Sequence, residues 1–203
     1  MPQETYPQTV SLKQGKTVTL RLLEAGDRAK LLAFFQALPP QSTEFLKEDV
    51  RDPAVVDRFC DELDHDKVWC LLAVAPDGAI VANATLHMSA RGWYRHLGEV
   101  RVVVADAYHK HGLATKMLRQ LVNHASVRGL RKLEARILDS QGAARTAFEH
   151  LGFREEARLK DHALDIDGRH HDLLLLTNTV EDLWRKMEEM VMDLDLGRST
   201  ESY

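Results

Sequence analysis

The stretch EVRVVVADAYHKHGLATKML, residues 99–118, constrains the fold more than any other part of this chain. Its valine run reads as a buried strand. A short polar loop follows. Gly112 and Ala114 then open a helix that carries Leu113, Met117, Leu118, Leu121, Val122 and Ala125 on one face. Gly129 closes that helix, and KLEARIL at 132–138 is a second strand. Strand, helix and strand in succession predict a β-α-β unit.

Hairpins surround this unit. Residues 68–75 (VWCLLAVA) form a buried strand, Pro76-Asp77-Gly78 a turn, and residues 79–87 the partner strand. A strand at 17–23 comes earlier. A helix capped by Asp27 follows it and stops at Pro39-Pro40, and a second helix over 53–63 has Pro53 in its first turn. After the unit come a helix over 141–151, ended by Gly152, and a hairpin of 156–166 and 171–176 around Asp167-Gly168. Val180, Leu183, Trp184, Met187, Val191 and Leu194 then repeat at helical spacing. The expected class is α/β (α+β), with a mixed, mainly antiparallel central sheet flanked by helices. Residues 1–12 are expected to be a flexible N-terminus, 13–177 one domain, 178–196 an amphipathic helix and 197–203 a flexible tail. The stripe on that helix calls for a covering surface, either the body or a second copy in a homodimer.

With 203 residues, the chain suits one domain of ordinary size. Lys and Arg number 27 against 31 Asp and Glu, a net charge of −4. Nucleic-acid binders show a basic excess, so no such partner is expected. No run approaches the roughly 20 apolar residues that span a bilayer, so no membrane partner is expected. The opening residues lack the basic start and apolar core of a signal peptide. Cys60 and Cys70 are the only cysteines and no CxxC pair exists. A disulfide framework and a zinc site are therefore disfavoured, and both thiols read as buried apolar fillers. The chain reads as cytoplasmic and reduced.

Small residues in the loop let the backbone approach a ligand closely. Consecutive N–H groups at a helix N-terminus converge on one spot, and the helix dipole favours negative charge there. Lys110, His109 and His111 add positive charge. This is the physics of a phosphate or pyrophosphate site, although an ordinary strand-to-helix turn reads the same way.

The segment His109-Lys110-His111-Gly112-Leu113-Ala114 resembles the acyl-CoA motif Q/R-x-x-G-x-G/A of the GNAT superfamily of N-acetyltransferases. The strand LEARIL, a helix and the ending His150-Leu151-Gly152-Phe153 match the second family element. The resemblance covers roughly residues 17–177, and the spelling is similar to the bacterial protein-lysine acetyltransferase branch. It implies the GNAT fold, acetyl-CoA as cosubstrate, no metal, and an amine acceptor. It also implies that the amides of His109, Lys110, His111, Gly112, Leu113, Ala114 and Thr115 hold the pyrophosphate. The strand edge at Val102 and Val104, with Gln141, would meet the pantetheine arm. Two departures stand out. His109 replaces Gln or Arg, and Phe148 stands on the cofactor side where many members carry a tyrosine acid.

Acyl transfer to an amine needs a base, because only the neutral amine attacks. Glu99 is the candidate catalytic base. It begins the strand that leads into the loop, where the similar branch carries a glutamate, and partial burial would tune it toward neutrality. His96 is the reserve. His170-His171 lack a metal-ligand setting, and His171-Asp172 either line the acceptor mouth or form a plain turn. Between residues 41 and 66 lie nine acids against three bases. That segment is either an acidic mouth for a cationic amine or a solvated helix face. The expected reaction is direct acetyl transfer to a protein lysine or a small cationic amine. The alternative is a non-catalytic acyl-CoA sensor.

Overall fold

The computed structural model describes residues 5–43, 48–165 and 167–195. Eight strands form one sheet: β1 (Gln8–Ser11), β2 (Thr17–Leu22), β3 (Val68–Val74), β4 (Ile80–Met88), β5 (Leu97–Val104), β6 (Lys132–Leu138), β7 (Arg154–Leu164) and β8 (His170–Thr179). Their order is β1-β2-β3-β4-β5-β6-β8-β7. All neighbours are antiparallel except β5 and β6. Five helices flank the sheet: α1 (Arg28–Ala37), α2 (Pro53–Asp61), α3 (Leu113–Val127), α4 (Gly142–His150) and α5 (Val180–Asp195). The mixed, mainly antiparallel sheet flanked by helices is the expected architecture.

The strands alternate because each sheet face has its own helices to cover it. Leu71, Ala84, Leu86, Val100, Leu133 and Ala135 point to the face under α3 and α5. Cys70, Leu72 and Val103 point to the opposite face, where Leu31, Phe34 and Phe35 of α1 and Val56 of α2 cover them. The crossover from β5 through α3 to β6 makes the parallel pair, since parallel neighbours need a long connection.

Several elements depart from the sequence reading. Residues 1–12 do not all form a loose arm: Gln8–Ser11 pair with β2, from Gln8↔Leu20 to Ser11↔Thr17. Residues 1–4 and the expected tail at 197–203 lie outside the described residues. Asp27 does not cap α1 through its side chain. Its carboxylate instead takes Arg21 in a two-pronged pair at 2.5 and 2.6 Å and the Glu24 amide at 3.0 Å. The guanidinium holds this carboxyl below the usual range. Asp52 caps α2 by accepting from the Ala54 amide.

The C-terminal helix finds its cover within the chain. Leu183 and Met187 are fully buried. Arg119 of α3 bonds Glu188 at 2.6 Å, and its guanidinium lies 5.0 Å above the Trp184 ring.

Candidate active site

The site begins with a divergence of strands. β5 pairs β4 along its length, from Ala82↔Val104 to Met88↔Gly98. It pairs β6 only at Leu97↔Lys132, Gly98↔Leu133 and Glu99↔Glu134. Beyond Glu99 the two strands separate, and β6 stays with β8. Residues 100–104 therefore present a sheet edge inside the sheet, with backbone groups that β6 does not satisfy. Val102 and Val104 stand on that edge, half-buried toward the α3 side.

The loop beyond β5 is tightly folded. Lys110 has φ 63 and Gly112 φ 81. A left-handed residue directs its neighbours' amides to one side, and glycine adopts it without a Cβ clash. α3 starts at Leu113 with no side-chain cap from Gly112. The leading amides of α3, at Leu113, Ala114 and Thr115, thus lack a side-chain acceptor there. Leu113 itself is buried and anchors the turn. Uncapped amides at the positive end of a 15-residue helix suit a pyrophosphate.

The two loop histidines act differently from the sequence reading. His111 is buried, and its Nδ1 donates to the Lys13 carbonyl at 3.2 Å. Its own carbonyl accepts from the Lys13 amide at 3.1 Å. It braces the loop against the segment between β1 and β2. Lys16 reinforces the brace by bonding the Ala107 carbonyl and lying 4.6 Å over the Tyr108 ring. His109 Nε2 donates to the Val104 carbonyl at 2.9 Å. That acceptor is therefore engaged, and Val102 is the edge residue left to a ligand.

On the β6 side, Gln141 Oε1 accepts from the Leu138 amide at 2.9 Å, which leaves its NH2 group available. Phe148 stands edge-on to Phe153 at 5.3 Å. It and Ala144 are half-buried hydrophobics on α4, a helix with no fully buried residue. The edge, the uncapped turn, the Gln141 amide and this apolar wall fit a long phosphorylated thioester. Acetyl-CoA is such a molecule, with a diphosphate, two amides and an apolar arm.

Glu99 lies on the opposite face from Val100 and Val102. It shares one row across the sheet with His87, Glu134 and Thr177. Its side chain is 14% exposed, and Oε1 accepts from Arg101 Nε and Nη2 at 2.9 and 2.7 Å. Arg136 binds Glu134 at 2.6 Å and stands 3.9 Å from Glu99 Oε2. The predicted base thus belongs to a quartet. Arg101, Glu134 and Arg136 were missed as site residues. Both strands spell Glu-x-Arg, EVR at 99–101 and EAR at 134–136, and that repeat was the available signal.

Other candidates move away from the centre. His96 lines a cavity of about 730 Å³ with Trp93, Arg128 and Arg131, where α3 ends rather than where it begins. His171 sits between Asp139 and Asp165, 3.0 Å from each. Asp165 above all, then Asp139, raises its pKa. It ties the end of β6 to the turn between β7 and β8. Most acids between 41 and 66 have local tasks. Asp49 and Asp52 bind nearby amides, and Glu48, Asp57, Asp61, Asp64 and Asp66 pair with Arg58, Arg28, Lys67 and Arg128. Those five pairs are exposed, and all but Glu48–Arg58 use a base from outside the segment. Both cysteines are buried free thiols. Among the described residues no cluster of three metal-ligating side chains exists, and no helix is long and apolar enough to cross a membrane.

Comparison with known proteins matches residues 31–153 to the family profile described as acetyltransferase (GNAT) family. No curated protein sequence matches the chain. Solved structures share the fold. A GNAT-family acetyltransferase from Streptococcus pneumoniae aligns with TM-score 0.67 and 23% identity, over 80% of this chain and 99% of that one. The GNAT domain of S. lividans PAT aligns with TM-score 0.68 and 20% identity, over 85% and 96%. Spermidine N-acetyltransferase from Vibrio cholerae, in complex with CoA and spermine, aligns with TM-score 0.68 and 15% identity, over 82% and 97%.

Proposed function

The chain belongs to the GNAT family of acetyltransferases, and from that premise we propose that it transfers an acetyl group from acetyl-CoA to a primary amine by direct attack in a ternary complex. Acetyl-CoA supplies a thioester whose acyl carbon accepts an amine. The observation that carries the reading is the separation of β5 from β6 beside an uncapped helix N-terminus. The His109 amide is spent on the Asp106 carbonyl at 3.0 Å, so the amides from Lys110 to Thr115 hold the diphosphate, and Val102 with the Gln141 NH2 aligns the arm. Such alignment converts a bimolecular encounter into an effectively unimolecular one.

Glu99 takes the proton of the attacking amine. Arg101 binds its Oε1 and Arg136 stands 3.9 Å from its Oε2, so two guanidinium groups hold this carboxylate in its charged, proton-accepting form. Phe148 has no proton to give, so that position supplies none to the departing sulfur. The acceptor is a protein lysine or a small cationic amine. Neither cysteine suits a nucleophile, since Cys60 of α2 and Cys70 of β3 are both buried in the core between the sheet and helices α1 and α2. That supports transfer without a covalent enzyme intermediate.

Thiol release from acetyl-CoA, measured with a panel of amines, tests this reading. Glu99→Gln is expected to lower kcat by ~10²–10⁴-fold, the usual weight of a positioned base, with CoA affinity retained. Phe148 also favours a second reading, a non-catalytic acyl-CoA sensor. Tight CoA binding with no amine-dependent release would establish that one instead.

A further inference from the structure

On the sheet face away from α3, the Glu-x-Arg of β5 and the Glu-x-Arg of β6 lie side by side. Glu99 and Glu134 are the last pair before the strands part. Arg101 and Arg136 follow two residues later, one on each lip of the opening. Exposure rises outward: 10% for Glu134, 14% for Glu99, 20% for Arg101 and 39% for Arg136. Each arginine spends only Nε and Nη2 on its glutamate. A guanidinium carries five donors, and Nη1 of both arginines makes no bond among the described residues. The group sums to zero charge. It gives a polycation no field to follow, and most acids between 41 and 66 are already paired with bases.

We propose that the acceptor amine carries its own carboxylate beside it, as a free α-amino acid does, and that this quartet reads both charges. The proposal rests on the acetyl-transfer reading and narrows its acceptor. Each glutamate touches its arginine, so negative and positive poles are offered to a ligand next to each other. An α-amino acid bears its ammonium and carboxylate on one carbon and presents the matching pair of poles. The carboxylate meets the free Nη1 edges of Arg136 and Arg101, where planar guanidinium geometry suits it. The ammonium then lies toward the Glu99 carboxylate, the group proposed to take its proton. A lysine side chain or a polyamine offers nothing to the arginines and leaves their Nη1 edges without an acceptor.

The test compares free amino acids with their carboxamides, which keep the amine and lose the negative charge. A lysine peptide and spermidine complete the panel. Acceptor kcat/KM from thiol release is measured in wild type, Arg136→Gln, Arg136→Lys and Arg101→Gln. Carboxamide binding is followed by calorimetry on protein saturated with CoA. The expected result is a preference for at least one amino acid over its carboxamide of about tenfold or more, the range of a charge-assisted hydrogen bond. That ratio should collapse toward one in Arg136→Gln and recover in part in Arg136→Lys. The ratio cancels differences in amine reactivity, and Arg136 is exposed enough for the variants to fold. Carboxamides, spermidine or the lysine peptide serving as well as any amino acid would overturn the proposal and leave acetyl transfer standing. An amino-acid preference unchanged in both Arg136→Gln and Arg101→Gln would also overturn it. Carboxylate-dependent binding without turnover would sink the transfer reading and, with it, the acceptor assigned here.

Discussion

Two histidines respond to acid in opposite directions. His124 of α3 lies flat on Trp69, with ring centroids 4.3 Å apart and planes 7° from parallel. Burial, aided by Arg128 and His65, pushes its pKa down to about 4. The unfolded chain takes up that proton near the ordinary histidine value of about 6.5. Between that pH and about 4 the unfolded state binds more protons, so stability falls as pH falls. His171 is raised by Asp165 and Asp139. Its contribution is complete below the ordinary histidine value and disappears as pH rises through its folded value. Urea midpoints across pH in His124→Gln and His171→Gln should separate the two. The first variant flattens the loss below pH ~6.5, and the second loses stability at low pH relative to high. Cys70, hidden in the sheet, has its thiol pushed up to about 12. Thiolate is the reactive form, so iodoacetamide at pH 8 should label it only after unfolding.

At the scale of elements, the start of β5 and the brace behind the loop matter most. A Cβ on Gly98 would lie 2.7 Å from Leu86 Cδ1 and 2.9 Å from both Leu130 Cδ1 and Leu133 Cδ2. Three side chains must yield at once, so Gly98→Ala should destabilise by about 1–3 kcal/mol in urea unfolding. The β-α-β unit, the hairpins and the phosphate-type loop were legible in the sequence, because each rests on local periodicity and punctuation. β1 was not, because QTVS is short, has a single apolar residue and becomes a strand only by pairing with residues 17–20. Asp27 looked like a cap because the sequence does not show Arg21 reaching it. The brace of His111 on Lys13 spans 98 residues, and no local signal announces it. Glu99 stands out in the sequence by its place at the start of the strand that leads into the loop. Glu134 becomes its neighbour only when the strands take their register.

For the whole molecule, α5 is part of the core rather than an appendage. Leu183 and Met187 close the layer over α3. Leu183→Ala should lose about 2–5 kcal/mol, read as a shift of the urea midpoint. The separation of β5 and β6 has a further consequence. A sheet ordinarily has two outer borders where chain can be added; this one has an additional pair in its middle, along residues 100–104 and the facing stretch of β6. Unsatisfied strand borders recruit other strands. Occupying that slot thus protects the protein as well as equipping it. Light scattering on slow heating should show aggregation beginning at lower temperature without CoA than with it, while a phosphate-only ligand such as pyrophosphate, which reaches the loop but not the slot, should give little protection.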